Sequence, residues 1–340
     1  MISYFDAHCD TIWRCMETGP VADYGETEQE QRAFFKTGGG LRQNCGHVDL
    51  LRDRCFARRG QFFALYDDVK RLPEGTAWQR CCEMHDWFLR ELAENGDMAV
   101  LCRSGAEADA AAESGRTAAF LSVEGADLLD CDTEKLRQAA AWGVRLVNPV
   151  WNNANALSGS CADDPDRGLS AQGRGFIREM ERLGIYADVS HLSDPGFWEL
   201  YRMTERPIVA SHSNARALCS QRRNLTDDMF RAIRDSRNSY SYEAFFRAIR
   251  DTGGVVGLNL YRGFVGGASM DALVAHVEHF LHLDGEKTLC IGGDLDGCEA
   301  LAAGMNGAED VPQLYEALEK QGYGKALLED IFWNNLRRLL

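Results

Sequence analysis

Short apolar runs recur along this chain, and each ends in polar or ionisable residues before a stretch of helical spacing begins. They are Ile2–Phe5, QFFALY at 61–66, MAVLC at 98–102, AAFLSVEG at 118–125, VRLVNPVWN at 144–152, IYADVSHLSD at 185–194, PIVASHSN at 207–214, GVVGLNLY at 254–261 and LCIGGDLDG at 289–297. Helical stretches lie between several of them, from about Gly75 to Asn95 and over Thr133–Trp142, Ala171–Leu183 and Asp271–Leu283. Strand and helix alternating at this spacing predict a parallel sheet. About eight such units predict closure into an α/β (β/α)8 barrel of the TIM type. A chain of 340 residues fits one such barrel, and no linker rich in Pro, Gly or Ser interrupts it. One domain over 1–340 is therefore expected.

In such barrels the chemistry gathers at the C-terminal strand ends. His8, Asp10, Glu124, His191, His212 and Asp294 all stand at the trailing end of an apolar run. His8 and Asp10 are two apart, so an extended strand points both to one face and Cys9 to the other. A carboxylate such as Glu124, followed by Gly125, can bridge two cations through its two oxygens. His191 and His212 follow consecutive strands, and neutral imidazoles are common zinc ligands. Asp294 can hold an attacking water and shuttle its proton. Asp296, two residues on, competes for that role. Two histidines beside His8 and three carboxylates suit a pair of zinc ions, with manganese or cobalt as alternatives.

The charge narrows the partners. Lys and Arg number 37 against 52 Asp and Glu, a net −15, so a nucleic-acid phosphate backbone or an anionic membrane surface is an unsuitable partner. No run of about 18 apolar residues occurs. The first residues, MISYFDAHCDTIW, lack the basic and apolar regions of a signal peptide, and a cytoplasmic location is expected. The 12 cysteines include no CxxC pair, so free thiols are expected. FRAIRD occurs at 230–235 and again at 246–251, a small tandem repeat before the GVVGLNLY strand.

DAHCDT, SVEGADLL, DVSHLSD, ASHSNARAL, RRNLTDD and GGDLDG, in that order, resemble the membrane (renal) dipeptidase family, the M19 metallopeptidases. GHVDL at 46–50 extends the resemblance over nearly the whole chain. It implies a binuclear zinc dipeptidase acting on small dipeptides. His8 and Asp10 would hold one zinc, Glu124 would bridge, and His191 and His212 would hold the other, with Asp294 as acid and base. Arg223 would grip the substrate carboxylate, a task its planar guanidinium suits, with Arg222 beside it as a plain surface arginine. Trp151 and Tyr261 are placed with Arg223 among the substrate-contacting residues. The resemblance also implies a homodimer.

One departure stands out. Where animal members carry a histidine, this chain has Trp151, which can donate one hydrogen bond but cannot shuttle a proton at neutral pH. Trp151 packing the pocket wall is the plainer reading. Animal members are also secreted and lipid-anchored, and this chain resembles a bacterial cytoplasmic-type member. The alternatives are a related binuclear amidohydrolase acting on a non-peptide amide, lactam or lactone, and a non-catalytic metal-binding descendant. An HxD opening with Glu124, in place of the HxH and modified lysine of other amidohydrolases, favours the dipeptidase.

Overall fold

A computed structural model describes residues 1–17, 39–235 and 253–340. Its strands are β1 (Ser3–Cys9), β2 (Arg58–Leu65), β3 (Ala99–Leu101), β4 (Thr117–Glu124), β5 (Val144–Asn148), β6 (Tyr186–Ala187), β7 (Val209–Ala210), β8 (Val255–Leu258) and β9 (Leu289–Ile291). All pair in parallel, in the order β6-β5-β4-β2-β1-β9-β8-β7, and β3 adds to the edge of β4 near its start. A parallel bridge between Asp188 and Val209 joins the two ends of this path. The result is the expected (β/α)8 barrel.

Parallel strands covered on both faces should be apolar throughout. β1, β4 and β9 are buried along their whole length. Inside the barrel Phe5, Phe62 and Phe120 converge from β1, β2 and β4, with ring centroids 5.1–6.1 Å apart. Val209, Val255, Leu146 and Cys290 from the other strands join them. The C-terminal helical segment closes this end with Trp333, 5.3 Å from Phe5. That segment carries one π-helical turn over Asp330–Asn334, followed by a helix over Asn335–Leu339.

Helices follow the strands. Those that matter for the site are α1 (Thr11–Met16), α2 (Ala77–Glu94), α3 (Gly105–Glu113), α4 (Thr133–Trp142), α5 (Ala171–Leu183), α6 (Asp194–Met203) and α7 (Asp227–Arg234). Several start on a hydroxyl that accepts from a first-turn N–H. Ser193, two residues past His191, accepts from Gly196 N at 3.1 Å and so begins α6 directly behind that imidazole. The first FRAIRD copy lies on α7, and the second falls outside the described residues. All 12 cysteines are free thiols. Among the described residues no helix is long and apolar enough to cross a membrane.

The β1 register carries a detail the alternation rule missed. Asp6 pairs with Gln61, but Cys9 pairs with Phe63, so β1 holds one extra residue in between. Such a bulge switches which side chains face inward. Phe5 points into the barrel near its N-terminal end, yet at the other end Cys9 lies in the outer core and His8 faces the centre.

Candidate metal centre

Six residues expected to act together meet at the C-terminal end of the barrel. His8 Nε2 lies 3.2 Å from Asp10 Oδ2 and 3.4 Å from Glu124 Oε2. The other oxygen of Glu124, Oε1, lies 2.9 Å from His191 Nε2 and 3.4 Å from His212 Nε2. His8 and His212 stack with ring centroids 3.8 Å apart. Two sets of three potential ligands thus share Glu124: His8, Asp10 and Glu124 on one side, Glu124, His191 and His212 on the other. A third set, His8, His212 and Asp294, overlaps both. All six residues are buried.

Local backbone geometry makes this convergence. Gly125, at φ +84°, turns the chain directly after Glu124, and a Cβ there would press on Trp151. Gly297 has no Cβ to clash with the carboxylates of Asp10 and Asp294, which come close on either side. His191, Asp294 and Asp296 have φ of +73°, +56° and +66°, a region non-glycine residues rarely enter and one that clusters at functional sites.

That conformation removes the strand-face argument that made Asp296 a rival of Asp294. Asp296 accepts from Thr11 Oγ1 and from His47 N, both at 2.6 Å, and belongs to a neighbouring cavity. Asp294 borders the cavity above the histidines and accepts from Asn259 Nδ2 at 2.9 Å.

The proton distribution suits cation binding. Burial pushes His191 down to about 4, with Arg223 adding to the effect, and burial and the His8 charge hold His212 well below the usual imidazole range. His191 Nδ1 donates to Asn152 Oδ1 at 2.9 Å, which leaves the Nε2 lone pair facing inward. His212 Nδ1 lies 2.6 Å from Ser211 Oγ. The two Nε2 atoms face each other at 3.1 Å. Burial opposes ionisation of Glu124, but the His8 charge and the close approach of the three imidazoles hold its carboxyl well below the usual range. Burial, then the Glu124 charge, pushes Asp10 up to about 8. Asp10 Oδ1 is buried with no hydrogen-bond partner among the described residues. Inward lone pairs, a central carboxylate and an orphaned carboxylate oxygen fit a divalent cation.

The cavity above has a volume of about 270 Å³, small for a ligand pocket. Its walls include Tyr66, Trp151, Tyr261, Phe264 and Glu299. Trp151 packs against Tyr66 and His191, with centroids 5.0 and 6.3 Å apart, so its indole forms wall. Tyr261 Oη donates to Glu299 Oε1 at 2.9 Å. Arg223 is buried and Arg222 exposed. Arg223 Nη1 donates to Ser213 Oγ at 2.8 Å, while Nε and Nη2 are buried without a partner among the described residues.

Sequence reasoning missed Asn152, Asn259, Ser213 and Glu299. Asn152 ends the run VRLVNPVWN and Asn259 lies within GVVGLNLY, each just past the end of the observed strand, the one available signal for them.

The sequence profile described as Membrane dipeptidase (Peptidase family M19) matches residues 1–239 and 242–340. An uncharacterized protein of Klebsiella pneumoniae is 32% identical over 282 residues, 79% of this chain and 96% of its own. An uncharacterized dipeptidase of Schizosaccharomyces pombe is 32% identical over 303 residues, 83% of this chain and 67% of its own. A metallopeptidase of Rhodobacter sphaeroides, solved with a phosphinate mimic of the dipeptide L-Ala-D-Ala, superposes with a TM-score of 0.81 at 25% identity, covering 99% of this chain and 98% of that one. The dipeptidase AC, a metallopeptidase of family M19, gives a TM-score of 0.80 at 27% identity, covering 99% and 97%. The chain belongs to the membrane dipeptidase family, peptidase family M19, and is a metallopeptidase of that family.

Proposed function

We propose that the chain is a binuclear zinc dipeptidase, with Glu124 shared between two metals. The observation that carries this reading is the pair of ligand sets meeting on Glu124. His8 and Asp10 would complete one site, and His191 and His212 the other. Two such cations make a water nucleophilic near neutral pH and polarise the scissile carbonyl.

The chain's own groups do the rest. Asn259 occupies Asp294 Oδ2, leaving Oδ1 to take the proton of the attacking water and pass it to the leaving amine. Burial raises the Asp294 carboxyl above the usual range, which helps it carry that proton. Arg223 offers its Nε–Nη2 edge, a two-donor fork, to the terminal carboxylate of a dipeptide. Trp151 and Tyr66 form apolar wall over His191 and keep water from the reacting bond. Arg223 favours the dipeptide over a lactam or lactone, because a buried guanidinium with unpaired donors calls for an anionic substrate group.

The test is elemental analysis after zinc-supplemented purification, followed by a panel of L,L and L,D dipeptides with a chelated control. The L,D set is included because the Rhodobacter sphaeroides relative was solved with an L-Ala-D-Ala mimic. Two zinc ions per chain and chelator-sensitive hydrolysis are expected. A zinc-loaded protein that cleaves no dipeptide would overturn the activity, and one that holds no metal would overturn the site.

A further inference from the structure

Among the described residues, four carboxylates border the cavity: Asp10, Glu124, Asp294 and Glu299. The proposed dipeptidase reading gives a task to the first three and none to Glu299. Glu299 belongs to the loop after β9, and Tyr261 Oη donates to its Oε1 at 2.9 Å, which fixes the carboxylate in the wall. Its position is unusual in a second way. It also borders a neighbouring cavity of about 350 Å³, whose other walls include Arg14, His47, Met305 and Asn306. Glu299 is thus the side chain at which the reaction cavity and this second space adjoin. Arg14 would repel a cation there, but the Asp296 carboxylate beside it opposes that charge.

The wall between Glu299 and Arg223 is aromatic. Arg223 Cζ lies 5.7 Å from the Phe264 ring, Phe264 packs 4.9 Å from Tyr261, and Tyr261 reaches Glu299. Positive charge therefore stands at one end of the wall and negative charge at the other. A dipeptide with its carboxylate at Arg223 runs its amino-terminal residue away from that end.

We propose that Glu299 is a specificity-determining residue, selecting dipeptides whose amino-terminal residue carries a basic side chain. That side chain would extend along the Tyr261–Phe264 wall and place its ammonium or guanidinium at Glu299, at the entrance to the second space. Its apolar stem would lie on the aromatic rings and its charged head on the carboxylate, the usual division for lysine and arginine. Neutral isosteres of the same length would lack that charge-assisted hydrogen bond.

This inference rests on the dipeptidase reading, and one experiment separates the two. The zinc-loaded protein is assayed with Lys-Ala, norleucyl-Ala, Ala-Lys and Ala-Ala, and so is the Glu299→Gln variant. Turnover of Ala-Ala by the wild type tests the activity itself. The inference is read from the ratio of kcat/KM for Lys-Ala to that for norleucyl-Ala. That ratio should favour Lys-Ala in the wild type and fall on the order of tenfold in Glu299→Gln. Tyr261→Phe, which keeps the carboxylate but frees it, should lower the ratio by less. Wild-type preference for norleucyl-Ala, or a ratio that Glu299→Gln leaves unchanged, would overturn the proposal. A change confined to Ala-Lys would place the basic side chain on the wrong residue and overturn it too.

Discussion

At the N-terminal end of the barrel, Arg59 donates to Asp53 at 2.8 Å, and Thr117 donates to the same carboxylate at 3.3 Å. Arg58 pairs with Glu329 there, and Arg337 with Asp109. At the C-terminal end, carboxylates and imidazoles crowd together around Glu124, and among the described residues Asp10 keeps an unpaired oxygen and Arg223 two unpaired donors. Both ends bury charge, but the first, the Nε atoms of Arg145 and Arg206 apart, closes its charges on each other and the second leaves them open. Burying an ion without a partner costs several kcal/mol, so an open end implies partners from outside the chain. The closed end is architecture, and the open end is where the proposed metal and substrate would bind.

Substitutions at the two ends should therefore part company. Asp294→Asn is expected to lower kcat by about 10²–10⁴-fold while zinc content stays at wild-type level. Full activity in that variant would move the proton-carrying role elsewhere at the open end. Asp53→Ala leaves Arg59 buried and uncompensated, and should destabilise the fold by about 3–5 kcal/mol in urea unfolding, with kcat/KM per folded molecule unchanged. A large loss of activity without loss of stability would erase the distinction between the ends. Arg223→Ala should raise KM for dipeptides by a factor corresponding to about 1.5–3 kcal/mol and leave C-amidated analogues little affected. Equal effects on both would remove its carboxylate role.

The smallest expected effect is on pH. A cation must displace the proton that burial and Glu124 favour on Asp10, whose carboxyl is pushed up to about 8. Metal affinity of the stripped protein should fall as pH drops below that value, and metal uptake near neutral pH should release protons, measurable by calorimetry in buffers of different ionisation enthalpy. A flat affinity profile through that range would contradict the proton competition.

Much of the barrel was legible because its signal is local. Each strand is an apolar run long enough to be seen, and each is bounded by polar residues that must reach solvent or a site. The outlying residues were less visible for an equally physical reason. Asn152 and Asn259 act through single hydrogen bonds to His191 and Asp294, and an asparagine in a loop looks the same whether or not it does so. Glu299 reads as an ordinary surface acid until Tyr261 and the two cavities are placed around it. The second FRAIRD copy lies outside the described residues.

The alternation rule correctly kept His8 and Asp10 together and turned Cys9 away. It could not show the extra residue in β1, because a bulge is defined by the partner strand and not by the bulged one. Asp296 failed for a related reason: two residues share a face only while the backbone is extended, and here it is left-handed.

By itself, then, the sequence determined the alternation of strand and helix, the residues at the strand ends and the family, because periodicity and ordered motifs are properties of a single chain. The tertiary structure decided which of those ends face one another, that Glu124 stands between both ligand sets, that Arg223 and not Arg222 is buried, and that Asp294 and not Asp296 meets the cavity. Those outcomes depend on distances between residues far apart in the chain, which exist only once the barrel has closed.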